Sequence, residues 1–300
     1  MSCPMTQAAK YYELLVLVTH YSMKFIMANS GVKGAVFDFT FLNTYLGESG
    51  RLALLLDYDG TLAPLAPRPE LAVLPAETKE VLLRLSKRPD VKLAIISGRK
   101  LANVKSLVGI EGIVYAGNHG IEIEFPSGRT YVHPSPEGYQ EKLLSLQAEL
   151  ESKVCKHGAW VENKGPTLTL HYRAVPEAER PGLVAEAERV VRETGLTVGT
   201  AHCALEVKTP FIWNKGHASL LVMSSEFGEA WQGQVPVIFV GDDTTDEDAF
   251  EALKDFGQTF RVVRADGVST AAKHRLSGTD GVLALLKWLD GFLSQRSARS

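Results

Sequence analysis

The sequence predicts an α/β fold: a Rossmann-like parallel-sheet core interrupted by an inserted α+β module. Three observations carry this. From Arg51 onward, short apolar runs alternate with amphipathic stretches. The runs are unbroken rather than alternating, as in strands buried on both faces. Between about residues 130 and 209 the texture changes, and unbroken runs resume only at Val237.

Taken in order, Tyr11 to Met27 is mostly apolar but is interrupted by Glu13, His20 and Lys24, and only Lys10 precedes it. That is a poor secretory signal, so residues 1–50 are expected to form a poorly ordered extension or a helix on the outside of the domain. Leu52–Leu56 is the first strand. Pro75 suits a first helical turn, and Val81, Leu82 and Leu85 recur at helical spacing before Pro89 stops the pattern. Leu93–Ile96 and Ile113–Tyr115 are the next two strands. In the inserted module, Leu143, Leu146 and Leu150 mark one helix, and Leu183, Ala187, Val190 and Val191 another. The piece from Thr167 to Arg173 alternates strictly, so Leu168, Leu170 and Tyr172 face a core and Thr167, Thr169, His171 and Arg173 face away. One-sided burial suits an antiparallel sheet covered by helices. Asn214-Lys215-Gly216 opens a helix on the return, and Val237–Val240 and Phe260–Val263 complete the parallel set. The organisation expected is an extension (1–50), a discontinuous core (51–129 and 210–300) and an α+β cap domain (130–209).

Composition narrows the function. The chain of 300 residues is 45% hydrophobic and 22% charged, an ordinary soluble composition. With 32 basic against 35 acidic residues, the net charge of −3 provides no field for a nucleic-acid backbone or an anionic membrane. No stretch approaches the roughly 18 to 20 apolar residues of a membrane span. Cys3, Cys155 and Cys203 are odd in number and far apart, which points to a reducing, cytoplasmic setting rather than a disulfide framework or cysteine-rich zinc site.

Polar groups gather where the strands end, which in open α/β sheets is where a crevice forms. The first run ends in Asp57-Tyr-Asp59-Gly60-Thr61, the second in Ser97-Gly98-Arg99, the third in Gly117-Asn118-His119-Gly120, and the fourth in Gly241-Asp242-Asp243. Asp57 and Asp59, two apart in extended chain, leave on the same side. An Asp-Gly pair is by itself an ordinary turn. Two further acids at another strand end would repel the first pair unless a cation lay between, and hard oxygen ligands favour Mg²⁺. Thr245 followed by Asp248 reads as a helix N-cap with first-turn acids, which explains part of this acidic run but not the two acids before it. Lys215, Ser97 and nearby backbone N–H groups suit the charged oxygens of a phosphoryl group.

These pieces, in this order, resemble the haloacid-dehalogenase-like phosphatases. More closely, Leu55 to Leu62, Ile96 to Arg99, Tyr115 to Gly120, Val161 to Lys164 with His171 to Arg173, and Gly241 to Phe250 resemble the blocks of the trehalose-6-phosphate phosphatase family, its arthropod members above all. The resemblance implies a hydrolase core with an α+β cap. It implies Asp57 as nucleophile, Asp59 as general acid and base, and Ser97, Lys215 and Thr61 around the phosphate. It implies Mg²⁺ on Asp57, Asp59 (through its main-chain carbonyl) and Asp242, with Asp243 in support. Glu162, Lys164 and Glu206 carry over as sugar contacts of the cap, with Arg99, Asn118 and His119 next at the boundary. On the residues alone, surface ion pairs are the stronger reading of Glu162 with Lys164 and of Glu206 with Lys208. The implied partner is a small sugar phosphate, with room for association with a trehalose-6-phosphate synthase. Rival readings are another sugar phosphatase on this scaffold, or an inactive sugar-phosphate-binding partner of a synthase.

Overall fold

The computed structural model describes residues 37–47, 49–134, 139–164, 167–201, 203–208, 213–265 and 267–298. The expectation for residues 1–36 therefore lies outside the described residues. Among the described residues two sheets form. The larger has the order β12-β11-β10-β1-β2-β3-β4-β5, with β1 Leu52–Leu56, β2 Val91–Ile96, β3 Val114–Gly117, β4 Glu122–Glu124, β5 Thr130–Val132, β10 Val237–Gly241, β11 Gly257–Val263 and β12 His274–Ser277. Its six members from β12 to β3 are parallel, and β4 and β5 add an antiparallel edge. The central strands β1 and β10 are buried along their whole length, which explains their unbroken apolar sequences.

The smaller sheet has the order β6-β7-β9-β8 and is antiparallel throughout, with β6 Trp160–Asn163, β7 Leu168–His171, β8 Thr197–Ala201 and β9 Ala204–Lys208. Helices Gln140–Lys153 and Arg180–Glu193 supply the rest of its core: Leu143, Leu146, Leu150, Ala187, Val190 and Val191 pack with Leu168, Leu170 and Leu205. The larger sheet has a separate cluster, with Ala53, Leu55, Ile96, Val222, Met223, Val237 and Phe239 among its members.

Three expectations change. Thr130–Val132 belongs to the larger sheet, because Ile123 and Tyr131 pair across a tight turn, so the module begins after this strand and not at 130. Residues 39–46 are part of the host and not an extension: Phe39, Leu42 and Leu46 are buried. Tyr45 lies 3.0 Å from the carbonyls of Val237 and Phe256 and accepts the Val237 N–H at 2.8 Å, and burial pushes its phenol up to about 12. Pro75 stands at the N-cap, one place before the helix Ala76–Ser86 rather than within its first turn.

Candidate active site

Leu56 of β1 lies beside Val240 of β10 in parallel register, so Asp57 and Asp242 emerge at the same end of neighbouring strands. Asp57 is 4% exposed. Lys215, the first residue of the helix Lys215–Phe227, reaches both the Asp57 and Asp246 carboxylates at 2.7 Å. The Asn214 side chain caps that helix by accepting the His217 N–H at 3.0 Å, which fixes where Lys215 starts. Burial works against the Lys215 charge, but Asp246 and Asp57 outweigh it and hold its pKa above the usual lysine value. Burial, reinforced by Asp246 and Asp242 against the pull of Lys215, raises Asp57. Burial and Asp246 likewise push Asp242 up to about 6, although Arg264 pulls it down.

Asp246 was not foreseen. Its second oxygen accepts the backbone N–H groups of Asp242 and Asp243 at 3.0 and 2.9 Å. The N-cap of the helix Thr244–Leu253 is Asp243 and not Thr245, because Asp243 and Asp246 form a reciprocal capping box. The signal in the sequence is the acid three places after Asp243. Asp246 thus spends both oxygens on holding Lys215 and the acidic turn. Asp243 is occupied by its own cap, accepting the Thr244 N–H at 2.7 Å.

Asp59 is gripped by Arg99 through two bonds of 2.6 Å. The same guanidinium donates to the Pro69 carbonyl at 2.8 Å and to Asn103 at 2.9 Å, and it lies over the Tyr58 ring. Arg99 lines the pocket, but most of its donors are committed to neighbours rather than free for a sugar. Ser97 is buried and its hydroxyl accepts the Arg99 N–H at 3.2 Å. Thr61 is fully buried with an unpartnered hydroxyl. Asn118 is also buried, donating to Glu122 at 2.7 Å and to the Lys164 carbonyl at 3.2 Å. Ser97, Thr61 and Asn118 stand behind the pocket wall rather than on it. Of the two glycines around His119, Gly120 has φ +89°, whereas Gly117 is needed because a Cβ there would meet the Leu101 nitrogen at 2.3 Å.

The pocket, about 680 Å³, is lined both by Asp57, Asp59, Lys215 and Asp242 and by the smaller sheet. Register explains the second wall: Glu162 pairs with Thr169 and Thr169 with Glu206, so one row of side chains crosses three strands on one face. Leu168 and Leu170 point the other way, into the helices. Thr169 is 3% exposed and its hydroxyl has no hydrogen-bond partner. A neighbouring row pairs Trp160 with His171, whose rings stack 4.3 Å apart, and His171 meets Glu162 at 3.0 Å. Lys164 donates to the Gly98 carbonyl at 2.9 Å and lies 3.8 Å from Glu206, which meets His119 at 3.1 Å. Glu162 is held below the usual carboxylate range by His171 and Lys164, which outweigh its burial. Trp160, Thr169, His171 and Arg173 join the pocket without having been singled out as site residues.

One oxygen each from Asp57, Asp242 and Asp246 lies within 4.8 Å of the others. Hard, anionic oxygens this close suit a small divalent cation. With both Asp246 oxygens engaged, one by Lys215 and one by the backbone of Asp242 and Asp243, the carboxylates left for an ion are those of Asp57 and Asp242.

The parallel core with carboxylates at adjoining strand ends has the fold of a solved haloacid dehalogenase-like hydrolase from Bacteroides thetaiotaomicron, with a TM-score of 0.55 at 16% identity over 80% of this chain and 99% of that one. A family model for trehalose-phosphatase matches residues 55–280, and the chain belongs to the trehalose-phosphatase family. A Mycobacterium tuberculosis protein named as an uncharacterized glycosyl hydrolase is 34% identical over 232 residues, covering 76% of this chain and 16% of that one. A trehalose 6-phosphate phosphatase of Zea mays is 32% identical over 257 residues, covering 80% of this chain and 70% of the relative. The C-terminal domain of the Candida albicans trehalose-6-phosphate phosphatase shares the fold, with a TM-score of 0.72 at 24% identity over 86% of this chain and 98% of that one. No helix among the described residues is long and apolar enough to cross a membrane.

Proposed function

We propose that this chain hydrolyses trehalose 6-phosphate to trehalose and inorganic phosphate through an aspartyl-phosphate on Asp57, with Mg²⁺ as cofactor. One observation carries the reading: Asp57, Asp59 and Lys215 line the same pocket as Glu162, Lys164 and Glu206 of the inserted module. A phosphate-handling end and a row of acceptors and donors for hydroxyls then face one substrate.

In the first step an Asp57 oxygen bonds to phosphorus as the bond from phosphorus to the sugar oxygen breaks, and Asp59 gives that oxygen a proton. In the second, Asp59 takes a proton from water, whose oxygen displaces Asp57 from phosphorus. Lys215 orients Asp57 and offsets the charge of the phosphoryl group. Asp59 releases at least one of its bonds to Arg99 in order to act. Asp57 and Asp242, with the main-chain carbonyl of Asp59, would hold the ion, while Asp243, through its helix cap, fixes the turn that carries Asp242. When bound, it offsets the repulsion between carboxylate and phosphate. The module whose elements run from the helix Gln140–Lys153 to β9 acts as the cap, closing over the sugar and excluding water. The free thiols of Cys155 and Cys203 support a cytoplasmic location, where a synthase that makes the sugar phosphate is the natural partner.

The test is Mg²⁺-dependent phosphate release from trehalose 6-phosphate beside glucose 6-phosphate and sucrose 6-phosphate. The intact chain should prefer the first, and Asp57→Asn should lower turnover by about 10³-fold or more. Equal rates on all three substrates would refute the sugar assignment, and an active Asp57→Asn the mechanism.

A further inference from the structure

We propose that Arg264 is a tethered counter-ion of the acidic cluster, seated on Asp242 in the cation-free chain and displaced by the divalent ion, so that it sets how tightly the ion binds. This rests on the reading of Asp57 and Asp242 as the cation's ligands. Arg264 directly follows β11, the neighbour of β10, and its Nη2 lies 2.7 Å from Asp242 Oδ2 and 3.3 Å from the Gly60 carbonyl.

The cluster holds three carboxylates, those of Asp57, Asp242 and Asp246. Lys215 answers Asp57 and Asp246. Asp242 is left to Arg264. The two cations differ in what leaving would cost. The Lys215 side chain is 2% exposed and would strand two buried carboxylates. The Arg264 side chain is 45% exposed against 6% for Asp242, so its head enters from solvent and returns there without losing hydration. A divalent ion brings twice the charge and favours a hard carboxylate oxygen. Ion and guanidinium therefore compete for Oδ2. Gly60, at φ +79°, gives the contest its room: a Cβ there would stand 2.1 Å from Asp242 Oδ2 and 2.3 Å from Arg264 Nη2.

The experiment is calorimetric titration of MgCl₂ into the whole chain without substrate, for the wild type, Arg264→Ala, Arg264→Gln, Arg264→Lys and Asp242→Asn, each checked for folding by circular dichroism. Removing the charge should tighten Mg²⁺ binding about tenfold at low ionic strength, and the gain should shrink as salt is added. Arg264→Lys should stay within about twofold of the wild type, because its charge is kept. Asp242→Asn should lose the binding. If binding needs Asp242 yet Arg264→Ala and Arg264→Gln leave it unchanged or weaker, Arg264 is only a strut between two loops and the proposal falls while the phosphatase reading stands. If both variants tighten binding but the wild type releases no phosphate from any sugar phosphate, the proposal stands and that reading falls. Absence of Asp242-dependent binding in all variants overturns both.

Discussion

Lys215 carries its charge with almost no water around it, and the two carboxylates it touches are what make this tenable. Asp242 is the weak point of the arrangement. Burial and the charge of Asp246 push it up to about 6 from its usual 3.8 despite Arg264, which means that the cation-free fold holds this proton more tightly than the unfolded chain does. Stability from this group is therefore complete below about 3.8 and is lost as pH rises through about 6, a difference of about 3 kcal/mol. With EDTA present, urea unfolding should show stability falling between about pH 3.5 and pH 6.5, and Asp242→Asn should remove that share of the fall. Saturating Mg²⁺ should restore the wild type at the upper pH, since an ion that binds only the folded chain stabilises it. An unchanged pH slope in Asp242→Asn would show that the charge of Asp242 is not what the fold resists.

At the scale of the element, strand register does most of the work in assembling the second wall of the pocket. Because β6, β7 and β9 are aligned as they are, Glu162, Thr169 and Glu206 form one row although 44 residues separate the first from the last. Thr169 is buried in the middle of that row with its hydroxyl unpartnered, which is costly unless a ligand supplies the bond. Thr169→Val keeps the shape and removes the hydroxyl. It should raise KM for trehalose 6-phosphate about tenfold while leaving hydrolysis of a small aryl phosphate unaltered. Glu162→Ala and Lys164→Ala should show the same selectivity of effect, and an equal loss on both substrates would mean that this wall does not read the sugar. The alternation from Thr167 to Arg173 made one face of β7 legible in the sequence. The pairing that sets Glu162 beside Thr169 was not legible, since register depends on contacts between segments far apart in the chain. For the same reason Asp57 and Asp242 were readable as strand-end acids, whereas the grip of Arg99 on Asp59 was not.

For the whole molecule, the unbroken apolar runs disclosed the parallel strands because complete burial leaves no polar face to interrupt them. The short strands β4, β5 and β12 carry no such run, and the helix Leu42–Leu46 is too brief for a period to emerge. The module's edges were blurred by one strand because Thr130–Val132 turns back onto the host sheet. What holds the smaller sheet near the host within the site is polar: Lys164 on the Gly98 carbonyl, Asn118 on the Lys164 carbonyl, and His119 on Glu206. Each of the two sheets has an apolar cluster of its own.

That separation bears on the order in which the chain matures as it leaves the ribosome. The smaller sheet and its helices are complete once residue 208 has emerged. The central strand β1 must wait for β10, which begins at Val237. The insert should thus become protease-resistant on nascent chains stalled near residue 250, once the exit tunnel has been cleared, while the segment around β1 stays cleavable until β10 to β12 have emerged. Newly made chains would pass through a stage with a finished insert and an unfinished hearth, and Asp57 would meet Lys215 and Asp242 only after the smaller sheet had folded.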